Sequence, residues 1–574
     1  MIALLIAPET IMPRLFCKRL TAFFFCAAAV CLSPDVSAGQ TASAVAPPPI
    51  TDYIAKGWDT LTRSMTDCAT VVDPKVTSKS VLYIPADFAV TADMRELEKR
   101  CGVEIRALPK VITKAGDIDT NSFHPQGLLY LPKRYVVPGG RFNEMYGWDS
   151  YFIIRGLLRD GRIDLARDMV ENFFFEIEHY GSVLNANRTY YLSRSQQPFL
   201  SSMIFAVYNA EKEKGHEDRA WLERAYGYAT RDHQMWLRPE LLAGDTGLSR
   251  YFDFGEGPAP ESLKDEVDHY RQVVEYFLNH PDQIAGRVEE RLPGQTKEIG
   301  PGMTYTLRLC DEPKGMGHAE CHQIRELSLS RDFYEGDRAM RESGFDISFR
   351  FGPFGADTHH YAAVCLNSLL YKTELDLAKM SDILGRKPDS ESWRQRADAR
   401  RTAMNKYLWD EAKGEFFDYD FTRHKRSTYE YLTTFYPLWV GLATPPQASA
   451  VEANLRVFER PGGAAMSPYE TGAQWDLPYA WAPTQMILVD GLREYGFTED
   501  ANRVSFEFAS TVAQNYEKQG YIVEKYNAVT RSTDAAVTIG YQINVVGFGW
   551  TNAAYLDFLA GLPAAKRAEL QTIH

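Results

Sequence analysis

From Asp149 to the C-terminus the chain repeats one pattern: apolar residues at helical spacing, a glycine-bearing break, then another such stretch. Ile153, Ile154, Leu157 and Leu158 run to a break at Gly161. Ile163, Ala166, Met169, Val170, Phe173, Phe174 and Ile177 then recur on a second helical face that ends before Gly181. Spacings of three and four residues place these side chains on one stripe of a helix, and glycine is the common residue past a helix end. Segments 361–384, 390–408, 448–458, 482–495, 498–516 and 550–562 repeat the theme at similar lengths. Strand-like runs such as 81–84 are few and short. Short breaks make consecutive helices antiparallel neighbours, and roughly a dozen of them in one chain form either a closed toroid or a solenoid. Periodicity does not choose between the two, although no repeat of fixed length is visible. The stretch 51–138 is less regular and is expected to be an N-terminal extension packed on the helical body, which runs over 139–574.

A chain of 574 residues, 45% hydrophobic, can bury a large core. Its formal net charge of -13 argues against nucleic acid as a partner and against an anionic membrane surface, since both need clustered Lys and Arg. The 10 Trp, 32 Tyr and 31 Phe are enough both to fill a core and to offer flat rings to the apolar faces of sugars.

At the N-terminus Arg14, Lys18 and Arg19 precede the apolar run 21–32, and Val36-Ser37-Ala38 has the small residues that a signal peptidase accepts. This pattern predicts a cleaved signal peptide over 1–38, a disordered lead over 39–50, and a mature protein that is periplasmic or secreted, with no membrane contact after cleavage. Cys68, Cys101, Cys310, Cys321 and Cys365 would remain after cleavage. Cys310 with Cys321 and Cys68 with Cys101 are possible disulfides, but spacing does not fix connectivity. His359 and His360 are adjacent, and neighbours on a helix point in different directions, so a structural role is expected and no metal site.

The chemistry-bearing residues lie in the breaks. The stretch 138–151, PGGRFNEMYGWDSY, packs a glycine turn, a cation, carboxylates and aromatic rings together, a mixture costly to bury unless the polar groups find partners. The stretch 185–196, NANRTYYLSRSQ, is rich in the amide, guanidinium and hydroxyl groups that read sugar hydroxyls. Glu342-Ser343-Gly344-Phe345-Asp346 and the stretch 474–483, QWDLPYAWAP, complete the set.

These stretches resemble glycoside hydrolase family 37, the trehalases. The first matches that family's PGGRF, E, Y, WDSY signature and the last its QWD, P, WAP signature, and the likeness extends from about Leu131 to Leu562, with GFGWTN at 547–552. The resemblance implies an all-α fold, an (α/α)6 barrel, with its site in the mouth formed by the breaks. It implies an inverting glycosidase for α,α-trehalose, acting on a small disaccharide without cofactor. Asp346 matches the family's general acid and is expected to carry a raised pKa. Glu524, in Val523-Glu524-Lys525-Tyr526, matches the general base and is expected to stay ionised. Arg141, Trp148, Asp149, Asn185, Arg194, Ser195, Gln196, Glu261 and Gly344 match sugar-contacting positions, and Trp475 would add a stacking wall. On the residues alone, the Arg, Asp and Trp cluster reads first as buried ion pairs tying loops together; Asp346 also reads as a helix cap, and Glu524 as a surface partner of Lys525.

The chain departs from the family at Ala259, where the family has Arg; at Phe345, where it has Trp; and at Asn527, where it has Asp. Residues 541–546 replace a glycine-rich loop and a following Glu-Tyr-Pro-Leu-Gln, which is expected to leave a more open site. These departures keep open an inverting glucosidase for another glucobiose, such as kojibiose, and a sugar-binding protein without catalysis.

Overall fold

The computed structural model describes residues 47–76, 78–262, 268–291, 306–310 and 324–573. Residues 1–38, most of the 39–50 lead, and Cys321 lie outside the described residues. Helix α1 (Ile50–Leu61) turns Ile54, Trp58 and Leu61 inward, the spacing of a single apolar stripe. Strand β1 (Val81–Ile84), helix α2 (Ala92–Cys101), β2 (Glu104–Ala107) and β3 (Leu128–Leu129) then form a small parallel sheet with β1 in the centre. Parallel neighbours need a crossover, and α2 supplies it. The Thr91 side chain caps its start, and Gly102 ends it at φ 69. A disulfide joins Cys68 to Cys101 at the end of α2. The stretch 51–138, expected to be less regular, thus carries an ordered sheet whose central strand is the strand-like run 81–84, buried at every position.

The body consists of α3 (Gly147–Arg159), α4 (Ile163–His179), α5 (Leu200–Glu213), α6 (Arg219–Met235), α7 (His269–Asn279) and α8 (Arg331–Glu342). It continues with α9 (Val364–Leu384), α10 (Lys387–Tyr407), the short α11 (Tyr436–Trp439), α12 (Ala482–Glu494), α13 (Thr498–Gln519) and α14 (Gly549–Gly561). Helices α3, α5, α9, α11, α12 and α14 touch in that order, and α14 packs back on α3, so they close a ring. A solenoid would leave its first and last helices apart; the chain is an all-α (α/α)6 barrel. The closing contact is tight, since a Cβ on Gly156 of α3 would lie 2.7 Å from the Cβ of Ala553 in α14. Helices α4, α6, α10 and α13 back the ring from outside, and α1 packs on α14.

Burial separates the two layers. Inner α12 is buried on nearly every side, whereas outer α10 buries only Ser390, Trp393, Ala397, Arg400 and Met404, a stripe one residue wide. Helices α3, α5, α9 and α12 each lead into one of these outer helices, and the segments that enter α3, α12 and α14 meet at one mouth. A second small antiparallel sheet, β4 (Val288–Arg291), β5 (Thr306–Cys310) and β6 (Ile324–Leu329), lies beside α7 with β6 in the centre. No helix among the described residues is long and apolar enough to cross a membrane.

Candidate active site

The segments entering the inner helices at this mouth enclose a cavity of about 810 Å³, open end included. Arg141, Trp148, Asp149, Asn185, Arg194 and Gln196 line it, as do Glu261, Gly344, Asp346, Trp475 and Glu524. Ser195 stands behind the wall, buried, with its backbone N–H donating to Glu342 Oε1 at 3.1 Å. The sequence therefore brought both carboxylates and all but one of the expected contact residues into a single cavity, from positions up to 383 residues apart.

Asp346 follows the end of α8 in an irregular segment, not at the start of a helix as its capping alternative required. Gly344, at φ 76, sits where a Cβ would lie 2.9 Å from Trp148 Cε2, so glycine is needed both for its backbone angle and for the approach of the indole. Gln474 spans the site: its Nε2 donates to the Asp346 carbonyl oxygen and its Oε1 accepts from Lys525 Nζ at 3.2 Å. Trp475 stacks on Trp481 with centroids 3.9 Å apart and planes 7° off parallel, which fixes the face it turns to the cavity.

Glu524 is buried, and so is Lys525, whose Nζ lies 3.6 Å from Glu524 Oε2; the pair is not at the surface. The Glu524 backbone is pinned, its N–H donating to Val545 (3.0 Å) and its carbonyl accepting from Trp550 Nε1 (3.1 Å) and Thr551 Oγ1 (3.3 Å). Tyr541 donates its phenol O–H to Oε1 at 2.6 Å, and Oε2 has no hydrogen-bond partner among the described residues.

Three further groups lie within the field of both carboxylates. Burial, and then the charges of Glu524 and Asp346, push the Asp149 carboxyl well above the usual range. Burial pushes the Tyr541 phenol well above its usual value, and Glu524 and Asp346 add to this. Burial lowers the Lys525 ammonium, and Glu524 partly offsets it. Each of these groups feels both carboxylates, in keeping with the one cavity that both line.

The walls hold polar groups in advance. Arg194 donates through Nε to Asn185 Oδ1 (2.8 Å) and pairs with Glu261 through Nη2. Gln196 Oε1 accepts from the Trp148 backbone at 3.0 Å. Arg141 Nε and Glu261 Oε2 are buried with no hydrogen-bond partner among the described residues, a costly state unless a ligand meets them. Sequence reasoning missed Arg341 and Tyr541, which also line the cavity. Arg341 brings a guanidinium to a wall where Ala259 has none, and the signal for it was a basic residue directly before Glu-Ser-Gly. Tyr541 belongs to the departing segment 541–546, which therefore supplies a wall residue.

His359 and His360 lie on a short 3-10 turn, Thr358–His360, rather than on an α-helix, and both reach Asp332. Their Nε2 atoms lie 3.0 and 3.3 Å from Asp332 Oδ1, a grouping with the reach of a metal site. The expectation that they diverge assumed helical geometry. Arg287 already pairs with Asp332 Oδ2, so the set reads as an ion-pair network remote from the cavity lining.

The sequence profile of the Trehalase family matches residues 55–285 and 313–563. A probable trehalase of Eremothecium gossypii is 35% identical over 572 residues, covering 89% of this chain and 72% of that protein. The cytosolic neutral trehalase of Saccharomyces cerevisiae is 35% identical, covering 85% of this chain and 67% of its own length. The solved structure of neutral trehalase Nth1 from Saccharomyces cerevisiae superposes with a TM-score of 0.72 at 31% identity, covering 92% of this chain and 96% of that one. These relatives also correct the expected export: several are named as cytosolic enzymes, which overturns the periplasmic or secreted reading and its signal peptide. A basic flank before a dozen apolar residues is a pattern of composition alone, and it yields to likeness along the whole folded body. With matching sequence over most of its length, the same barrel and both signature loops at one cavity, the chain belongs to the trehalase family of glycoside hydrolases.

Proposed function

We propose that the chain hydrolyses α,α-trehalose to two glucose molecules with inversion, Asp346 acting as general acid and Glu524 as general base. The observation that carries this reading is that Glu524, whose Oε2 has no hydrogen-bond partner among the described residues, lines the same cavity as Asp346. Inversion needs a carboxylic acid to protonate the leaving oxygen and a carboxylate, about 6.5–9.5 Å away, to take a proton from water on the opposite face of the sugar. Asp346 gives its proton to the glycosidic oxygen as that bond breaks. Water attacks the anomeric carbon of the other glucose and passes a proton to Glu524, so charge is conserved and neither metal nor organic cofactor is needed. Arg141, Arg194 with Asn185 and Glu261, Gln196, and the indoles of Trp148 and Trp475 hold the sugar in place, with Gly344 giving Trp148 its room. Ser195 supports this wall through its bond to Glu342. The extension 51–138 and the barrel 139–574 fold together, since α1 packs on α14.

Anomer-resolved NMR on fresh digests tests the stereochemistry: inversion releases one α- and one β-glucose per trehalose, and initial release of α-glucose alone would reject it. Asp346→Asn and Glu524→Gln should each lower kcat by orders of magnitude, on the scale of lost acid–base catalysis, with thermal unfolding nearly unchanged. Activity retained by both variants would reject the roles.

A further inference from the structure

We infer that Tyr541 is a positioning residue for Glu524: its phenol clamps Oε1 and leaves Oε2 as the one oxygen that takes the proton from water. The inference rests on the assignment of Glu524 as base. A glutamate carboxylate turns easily about its last bond and could offer either oxygen to water. Here the backbone is held on both sides, by Val545 at the N–H and by Trp550 and Thr551 at the carbonyl, so the side-chain torsions are the freedom that remains. The Tyr541 hydroxyl removes it with a charge-assisted bond of 2.6 Å. Oε2 stays without a hydrogen-bond partner among the described residues, with Lys525 Nζ at 3.6 Å.

The clamp is itself held. The backbone N–H of Gln474 donates to the Ile539 carbonyl at 3.2 Å, which docks the 539–541 segment on the loop that also holds Asp346 and Lys525. Gly540, at φ 119, allows the approach, because a Cβ there would lie 3.0 Å from Gln474 Cδ. Lys525 Nζ sits 4.0 Å from the centre of the Tyr541 ring and the Arg141 guanidinium 5.6 Å from it, so the ring is gripped by two cations. The phenol stays protonated through any assay range, raised by burial and by Glu524. The charged or titratable groups near Glu524 are thus Tyr541, Lys525, Arg141, Asp149 and Asp346.

Tyr541→Phe removes the hydroxyl and keeps the ring, with its two cations. A lost charge-assisted hydrogen bond predicts a fall in kcat on the order of 10- to 100-fold with KM little changed. KM does not depend on how much of the sample is folded, and a thermal melt gives the folded fraction to which kcat is scaled. Wild-type kcat, or a change in KM alone, would show that Tyr541 merely walls the cavity and would overturn the inference. Glu524→Gln, assayed alongside, separates the two failures: an active Glu524→Gln enzyme defeats the base assignment itself.

Discussion

Replacing Arg188 with Met tests whether the site loops depend on a buried charge network. Arg188 is 1% exposed and donates through Nη1 to Asp73 Oδ2 and through Nε to Glu144 Oε1, both at 2.6 Å. Asp73 lies in the N-terminal extension, Glu144 in the loop that carries Arg141, and Arg188 in the loop that carries Asn185. One guanidinium therefore ties three segments. Its removal leaves Asp73, 3% exposed, without its ion pair, and Glu144, 0% exposed, with Lys75 alone at 3.0 Å. Removing one partner of a buried pair costs about 3–5 kcal/mol, because the remaining charge is stranded away from water. At ~2.1 cal/mol/K of unfolding entropy per residue, a chain of 574 residues changes by about 1.2 kcal/mol per kelvin, so the midpoint should fall by about 3–4 °C. Adding Glu144→Gln should recover part of the loss, since a neutral amide does not need the cation. The pH dependence has a definite sign. Burial alone would raise the Glu144 carboxyl, but Lys75 and Arg188 outweigh it and hold the group well below the usual range. Such a group stabilises the fold fully above the unfolded carboxylate value of ~4.3 and loses that contribution as pH falls toward its folded value. The midpoint of Arg188→Met should therefore decline less steeply than the parent's between about pH 5 and 2. Calorimetry decides: a midpoint within 1 °C of the parent near pH 7, or an unchanged acid slope, would refute the reasoning.

Cys68→Ser opens a bridge across a sequence separation of 33, and loop-closure entropy puts the loss at about 3–4 kcal/mol; a thermal midpoint insensitive to the change would contradict it. Gly344→Ala places a methyl 2.9 Å from Trp148 Cε2 at a φ of 76, so the indole must shift. Steady-state assays should show kcat/KM reduced on the order of 10-fold or more, and wild-type kinetics would mean that Trp148 does not touch the sugar.

What could be read from the sequence follows from which physical constraint each residue carries. The alternation of helix and break was plain because a layered barrel exposes outer helices such as α10 to water on one side, and a stripe such as Trp393, Ala397, Arg400 and Met404 is visible in sequence. Ring closure was not, since it depends on α14 meeting α3 across most of the chain, a contact that leaves no periodic trace. The run 81–84 was legible as a strand, but its pairing with β2 and β3 was not, since parallel partners come from segments distant in the chain. Trp148 and Trp475 stood out because long loop motifs bring several costly groups together, whereas Asp346 was picked only by the likeness of Glu-Ser-Gly-Phe-Asp to the family. Tyr541 was not, because a phenol in a segment that breaks with the family's pattern looks like a missing lid. Its meaning appears only when Glu524, 17 residues earlier, is seen to need an anchor for one oxygen. Arg341 is the contrary case, a guanidinium that lines the cavity and stood in plain view directly before Glu-Ser-Gly. Tyr541 does its work through a partner that folding alone brings near, and no local pattern encodes such a partner.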